Sequence, residues 1–143
     1  MLLNMERSLV ARRLMFSSAH FYSQEKFSDE KNRETFGLCY TPHGHGHNYV
    51  VEAFLDGPID PATKLVVNLA DLDRILRDAT QPLEHKHLNL DVPEFKSLVP
   101  TTENIALYLR KRVLAALPVL GPKLRLNRLR LYETDSIWVE VRE

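Results

Sequence analysis

Histidines at every second position across His43-Gly44-His45-Gly46-His47 leave few backbones that could bring them to a common purpose. In an extended strand alternate side chains share a face and lie roughly 7 Å apart, so imidazoles at i and i+2 can converge on one zinc ion at about 2.0 to 2.1 Å. His43 and His47 would stand roughly 13 Å apart on one strand, so the chelating pair is either His43/His45 or His45/His47. A third ligand has to come from elsewhere, and His20 is the best candidate. Two other readings compete. The segment could be a Gly/His-rich surface loop with adventitious metal affinity, or Cys39 could join three histidines in a closed structural site with no room for chemistry. Spacing alone leaves these open.

The apolar pattern around this segment is that of an α+β chain. Residues 8–19 are dominated by Leu, Val, Met and Phe and read as a strand with His20 at its exit. Residues 22–42 are polar and charged, a connection long enough to be a functional loop. A second strand is expected over about residues 45–55, stopped by Asp56-Gly57-Pro58. Asn68 reads as an N-cap with Asp71 behind it, and Leu69, Leu72, Leu76 and Ala79 recur at helical spacing until Pro82. A second helix starts at Thr101 or Thr102, places Glu103 at its positive end, and aligns Ala106, Leu109, Val113 and Ala116 before Pro118.

Leu124 and Leu126 alternate in one phase and Leu129 and Leu131 in the other, which predicts a β-bulge near Asn127-Arg128. Ile137, Val139 and Val141 alternate with Trp138, Glu140 and Arg142, and Thr134-Asp135-Ser136 makes the last two strands a hairpin. The expected order is β-β-α-α-β-β, one domain over residues 1–143, with an antiparallel sheet covered on one face by two helices. The edges of such a sheet invite pairing with another subunit.

Composition narrows the function classes. Lys and Arg balance Asp and Glu to a formal net charge of zero, so nothing suggests general attraction to nucleic acid or to an anionic membrane. Charged residues interrupt every hydrophobic run, which argues against membrane insertion. The single cysteine, Cys39, forms no intrachain disulfide, and the start Met1-Leu2-Leu3-Asn4-Met5-Glu6-Arg7 lacks the pattern of a leader, so a reducing cytoplasm is the expected compartment.

The ordered motifs Phe16-Ser17-Ser18-Ala19-His20, Phe36-Gly37-Leu38-Cys39, His45-Gly46-His47-Asn48-Tyr49, Pro82-Leu83-Glu84-His85-Lys86, Thr101-Thr102-Glu103-Asn104 and Tyr132-Glu133-Thr134 cover nearly the whole chain. In them the sequence resembles the 6-pyruvoyl tetrahydropterin synthase family, which also includes the 6-carboxytetrahydropterin synthases of queuosine biosynthesis. Asn68-Leu69-Ala70-Asp71-Leu72, Leu90-Asp91-Val92-Pro93 and the long loop before Cys39 look more like the biopterin branch. His43 pulls the other way, since Cys39-x-x-x-His43-x-His45 is similar to the tighter cysteine spacing of the queuosine branch. On its own, His43 reads as an exposed side chain.

The resemblance implies the tunnelling fold, assembled as a homohexamer of two trimers with active sites at subunit interfaces. It implies zinc held by His20, His45 and His47, which selects between the histidine pairs. Its substrate would be 7,8-dihydroneopterin triphosphate. Cys39 matches the catalytic cysteine, whose thiolate acts as general base if a nearby cation or metal lowers its pKa. His85 matches the histidine of an Asp-His pair in which this chain carries Glu84, whose extra methylene changes the reach. Glu133 matches the carboxylate that anchors the pterin, Thr101 and Thr102 add polar contacts, and His87 is left as a solvated loop residue. The leading expectation is triphosphate elimination to 6-pyruvoyl tetrahydropterin. The alternatives are 6-carboxytetrahydropterin formation with release of acetaldehyde, or a non-catalytic zinc-stabilised or pterin-binding module.

Overall fold

A computed structural model describes residues 5–142. Residues 1–4, with the part of the leader reading made on them, and residue 143 lie outside the described residues. In chain order the elements are β1 (Arg7–His20), α1 (Asp29–Phe36), β2 (His45–Pro58), α2 (Leu69–Thr80), β3 (Lys86–His87), α3 (Leu88–Asp91), α4 (Thr102–Ala116), β4 (Arg125–Tyr132) and β5 (Trp138–Arg142). The strands form one sheet in the order β3-β1-β2-β4-β5.

The sheet is laid down by its two longest strands. β1 and β2 pair antiparallel without a break from Arg7↔Pro58 to His20↔His45, so their alternation is set along the whole ladder. Phe16, Tyr49, Val51, Ala53 and Leu55 from these strands, with Leu126, Leu129 and Leu131 of β4, turn to one face and are buried. Against them pack Leu72, Ile75, Leu76 and Ala79 of α2 and Ile105, Ala106, Leu109 and Val113 of α4. The helices start where side-chain caps satisfy backbone donors: Asn68 accepts from Ala70 N and Thr101 from Asn104 N. On the opposite face Arg13 pairs with Glu52 at 3.7 Å, and Arg128, Arg130 and Arg142 share Glu140.

The predicted bulge is present. Phe54 faces Arg128 but Leu55 faces Leu126, which leaves Asn127 as the extra residue and returns Leu126 to the face of Leu129 and Leu131. Four expectations need correction. The 22–42 connection contains α1, capped by Ser28; it carries no apolar stripe to read, since Asn32 is its only buried residue. β2 runs on through Asp56-Gly57 to Pro58, because the end of the β1 ladder still has partners to offer there. The sheet is not wholly antiparallel, since Ser18↔Lys86 and Ala19↔His87 pair in parallel. Leu69 is 59% exposed, and Ile75 occupies the core-facing position on that helix instead.

Leu109 is fully buried where α4 meets the sheet. Leu109→Ala is expected to cost about 2–5 kcal/mol, read as a lower urea midpoint with an unchanged slope.

Candidate metal centre

Antiparallel pairing puts the last residue of β1, His20, opposite the first of β2, His45. The pleat then returns His47 to the same face, with Gly46 pointing away. One nitrogen from each of His20, His45 and His47 lies within 4.8 Å of the others. The rings meet edge to face with centroids 4.8 Å (His20–His45), 5.1 Å (His20–His47) and 4.9 Å (His45–His47) apart. Cys39 is not among the converging atoms, so the geometry favours three nitrogens without a protein thiolate.

His20 is completely buried. Its Nδ1 lies 2.9 Å from the Pro100 carbonyl oxygen, and a carbonyl can only accept, so Nδ1 carries the proton. The lone pair is thereby placed on Nε2, which lies 3.2 Å from His45 Nε2. The Tyr49 hydroxyl lies 3.1 Å from His20 Nδ1, and its ring stacks on Phe16 at 5.2 Å. His47 Nε2 is buried with no hydrogen-bond partner. Glu133 Oε1 stands 3.5 Å from it, within ion-pair range but outside hydrogen-bond geometry. An unpartnered buried ring nitrogen beside two others fits a divalent ion that takes imidazole ligands and keeps one position open.

Electrostatics point the same way. Burial lowers the His20 pKa to about 4, with the Pro100 hydrogen bond and Glu133 opposing and the other imidazoles adding to the fall. Burial likewise lowers His47, against the pull of Glu133. Burial thus favours the neutral form of His20 and His47, the form that ligates metal.

Glu133 follows β4 and leans over the centre. Tyr22 donates to its Oε2 at 3.1 Å, and the Thr102 hydroxyl donates to the same oxygen in a shorter bond. Burial pushes the Glu133 pKa up, but the Thr102 bond, the His47 and His20 rings and the Tyr22 bond outweigh it, and the net direction is down. Thr101 and Thr102, grouped from the sequence, divide their work: Thr101 caps α4 and Thr102 holds Glu133.

Cys39 is half-buried at the end of a 3-10 turn, and its carbonyl accepts from Tyr22 N at 2.8 Å. Burial, then Glu133, raise its thiol pKa. No cause that lowers it stands beside these, so the lowering expected from sequence is not supplied by the described protein groups.

His85 stands apart. It is exposed, with φ +56, and pairs with Glu84 Oε1 at 3.1 Å, so the longer carboxylate does reach the imidazole. Both are tied to β1, where Ser17 O accepts from His85 N at 2.8 Å and Ser17 N donates to Glu84 Oε1 at 3.3 Å. His85, Lys86, Ser17, Asn48 and His47 line an open groove of about 420 Å³. No contact joins His85 to Cys39 within the chain among the described residues. His43 is exposed, as read from sequence. His87 is not a solvated loop residue: it is half-buried in β3, edge-on to Phe21 at 5.5 Å, with Nδ1 shielded from solvent.

Sequence reasoning missed Pro100, which orients His20, and Tyr22, which bonds Glu133. The tyrosine's only local signal was its place two residues after a predicted ligand. Gly44 was also passed over. Its φ is +77, and a Cβ there would lie 2.8 Å from both His20 O and His87 Nε2, so only glycine lets the chain enter β2 against the end of β1.

The fold and centre together define an α+β protein with three converging histidines, one of them fully buried, beside a held carboxylate. The chain belongs to the 6-pyruvoyl tetrahydropterin synthase family, whose model matches residues 9–143. It is 48% identical to a 6-pyruvoyl tetrahydrobiopterin synthase of Pongo abelii and 47% identical to that of Homo sapiens, each over 89% of this chain and 86% of the relative. The 6-pyruvoyl tetrahydropterin synthase structure from Caenorhabditis elegans superposes with a TM-score of 0.91 at 33% identity, covering 99% of both chains. The fold is the family's tunnelling fold. No helix among the described residues is long and apolar enough to cross a membrane.

Two outcomes follow from the centre. Gly44→Ala is expected to cost upwards of about 1 kcal/mol through the strained backbone and displaced strand end, and to weaken binding in a cobalt titration. For metal-free protein, the unfolded chain binds more protons than the folded one between pH 6.5 and about 4, because the folded His20 pKa is the lower. Stability should therefore fall with pH across that window, by about 3 kcal/mol from His20 alone, seen as a urea midpoint dropping between pH 7 and pH 4.

Proposed function

We propose that the protein is a zinc-dependent 6-pyruvoyl tetrahydropterin synthase, a lyase that eliminates triphosphate from 7,8-dihydroneopterin triphosphate with internal redox of the side chain. The observation that carries the reading is the convergence of His20, His45 and His47 beside Glu133, in a chain 47–48% identical to 6-pyruvoyl tetrahydrobiopterin synthases. The relatives' names also favour this product over 6-carboxytetrahydropterin, and His43 lies outside the converging triad.

A zinc ion held by the three histidines would supply a Lewis acid for the substrate's side-chain oxygens. Glu133, kept anionic by its hydroxyl donors, accepts N–H bonds from the guanidine-like edge of the pterin and so sets the side chain over the histidines. Cys39 takes a proton from a carbon bearing a hydroxyl. A cation beside the thiol would offset its raised pKa, which couples proton abstraction to metal loading. Triphosphate then leaves, and the electrons stay within the substrate, so no redox cofactor enters.

His85, backed by Glu84, returns or relays protons. Because no contact among the described residues joins it to Cys39 within one chain, it would serve the site of a neighbouring copy. That fits assembly as a homohexamer of two trimers, each subunit a single domain, working in the cytoplasm, where the free thiol persists.

Purified zinc-loaded protein with 7,8-dihydroneopterin triphosphate should yield 6-pyruvoyl tetrahydropterin and inorganic triphosphate by mass spectrometry. Acetaldehyde and 6-carboxytetrahydropterin would favour the other branch, and unchanged substrate would sink both. Cys39→Ala should lower turnover by at least about 100-fold at unchanged zinc content. A Cys39 that alkylates only after chelation would instead favour a structural, non-catalytic site.

A further inference from the structure

Tyr22 stands where three parts of the centre meet, and no motif assigns it a part. Its backbone N–H donates to the Cys39 carbonyl at 2.8 Å. Its ring lies edge-on to His20 at 5.0 Å and to Phe36 at 5.8 Å. Its hydroxyl donates to Glu133 Oε2 at 3.1 Å, the oxygen that also accepts from Thr102. Backbone and ring contacts therefore fix where the hydroxyl can be, because α1 and its following turn hold one side and the first metal-ligand candidate holds the other.

A glutamate side chain turns freely about its last bond unless its oxygens are held, and a ligand offering two parallel N–H groups meets it well only in one plane. One donor on an oxygen leaves the carboxylate free to swing; two donors from different elements do not. Thr102 comes from the start of α4 and Tyr22 from the exit of β1. With both on Oε2, Oε1 is left towards the open centre, 3.5 Å from His47 Nε2.

We propose that Tyr22 is a positioning residue of this site, whose hydroxyl, with that of Thr102, sets the plane of the Glu133 carboxylate for the N–H edge of the pterin ring. The inference rests on the reading of Glu133 as the pterin anchor. Tyr22→Phe tests it, since the ring contacts and the backbone N–H to Cys39 remain and only the hydroxyl is lost.

Zinc-loaded wild type, Tyr22→Phe and Glu133→Ala are titrated with neopterin, followed by its fluorescence, and assayed with 7,8-dihydroneopterin triphosphate. Loss of one hydrogen bond to a charged group should raise the neopterin Kd of Tyr22→Phe about tenfold. KM should rise similarly, kcat should fall by a smaller factor, and zinc content should match wild type. A merely structural tyrosine would lower zinc content and kcat together. If Glu133→Ala abolishes neopterin binding while Tyr22→Phe binds it with the wild-type Kd, the proposal alone is overturned. If Glu133→Ala binds neopterin as wild type does, the anchor reading falls and the proposal falls with it.

Discussion

The structure depends on one ladder. β1 and β2 pair without interruption from Arg7↔Pro58 to His20↔His45, and that register does two things at once. It sends Phe16, Tyr49, Val51, Ala53 and Leu55 to the helices as core, and it ends with two histidines facing each other and a third one pleat away. A slip of one residue would exchange the faces and scatter both core and centre, so burial of the apolar face protects the ligand geometry. Gly44 belongs to the same constraint, because any Cβ there would push the two strand ends apart.

Around that ladder end, burial and charge are balanced against each other. Burial lowers the pKa of His20 and His47, with the Pro100 carbonyl choosing which nitrogen of His20 keeps a proton. The same burial works against the Glu133 carboxylate and the Cys39 thiol, but the outcomes differ. Glu133 has hydroxyl donors and imidazole neighbours that outweigh the desolvation, while at Cys39 the nearby Glu133 carboxylate adds to the rise. The protein's own groups therefore favour the ionised form of the carboxylate and the neutral form of the thiol. On the proposed function, the ion is what completes the general base.

Local signals in the sequence were good guides where one residue's chemistry decides the outcome. The caps Asn68 and Thr101 sit where side-chain oxygens can meet free backbone N–H groups, and the phase change across Asn127 could only be absorbed by a bulge. α1 escaped notice because it is held by a Ser28 cap and one buried asparagine, with no apolar stripe. β3 escaped because two residues, Lys86 and His87, carry no pattern, and their pairing with Ser18 and Ala19 is a long-range event. The division of labour between Thr101 and Thr102 was equally invisible, since the two are alike until the start of α4 turns one towards the backbone and the other towards Glu133.

The sequence by itself determined which groups could do chemistry: period-two histidines imply an extended segment able to chelate, and the ordered motifs imply the family. Only the tertiary structure decided how those groups act. The tautomer of His20 depends on a carbonyl eighty residues away, Glu133 Oε2 takes hydroxyl bonds from two separate parts of the chain, and His85 is seated against β1 by the parallel docking of β3. The reason is physical: spacing along a strand is set by covalent geometry, whereas hydrogen-bond direction and desolvation are set by whatever the fold packs against each side chain.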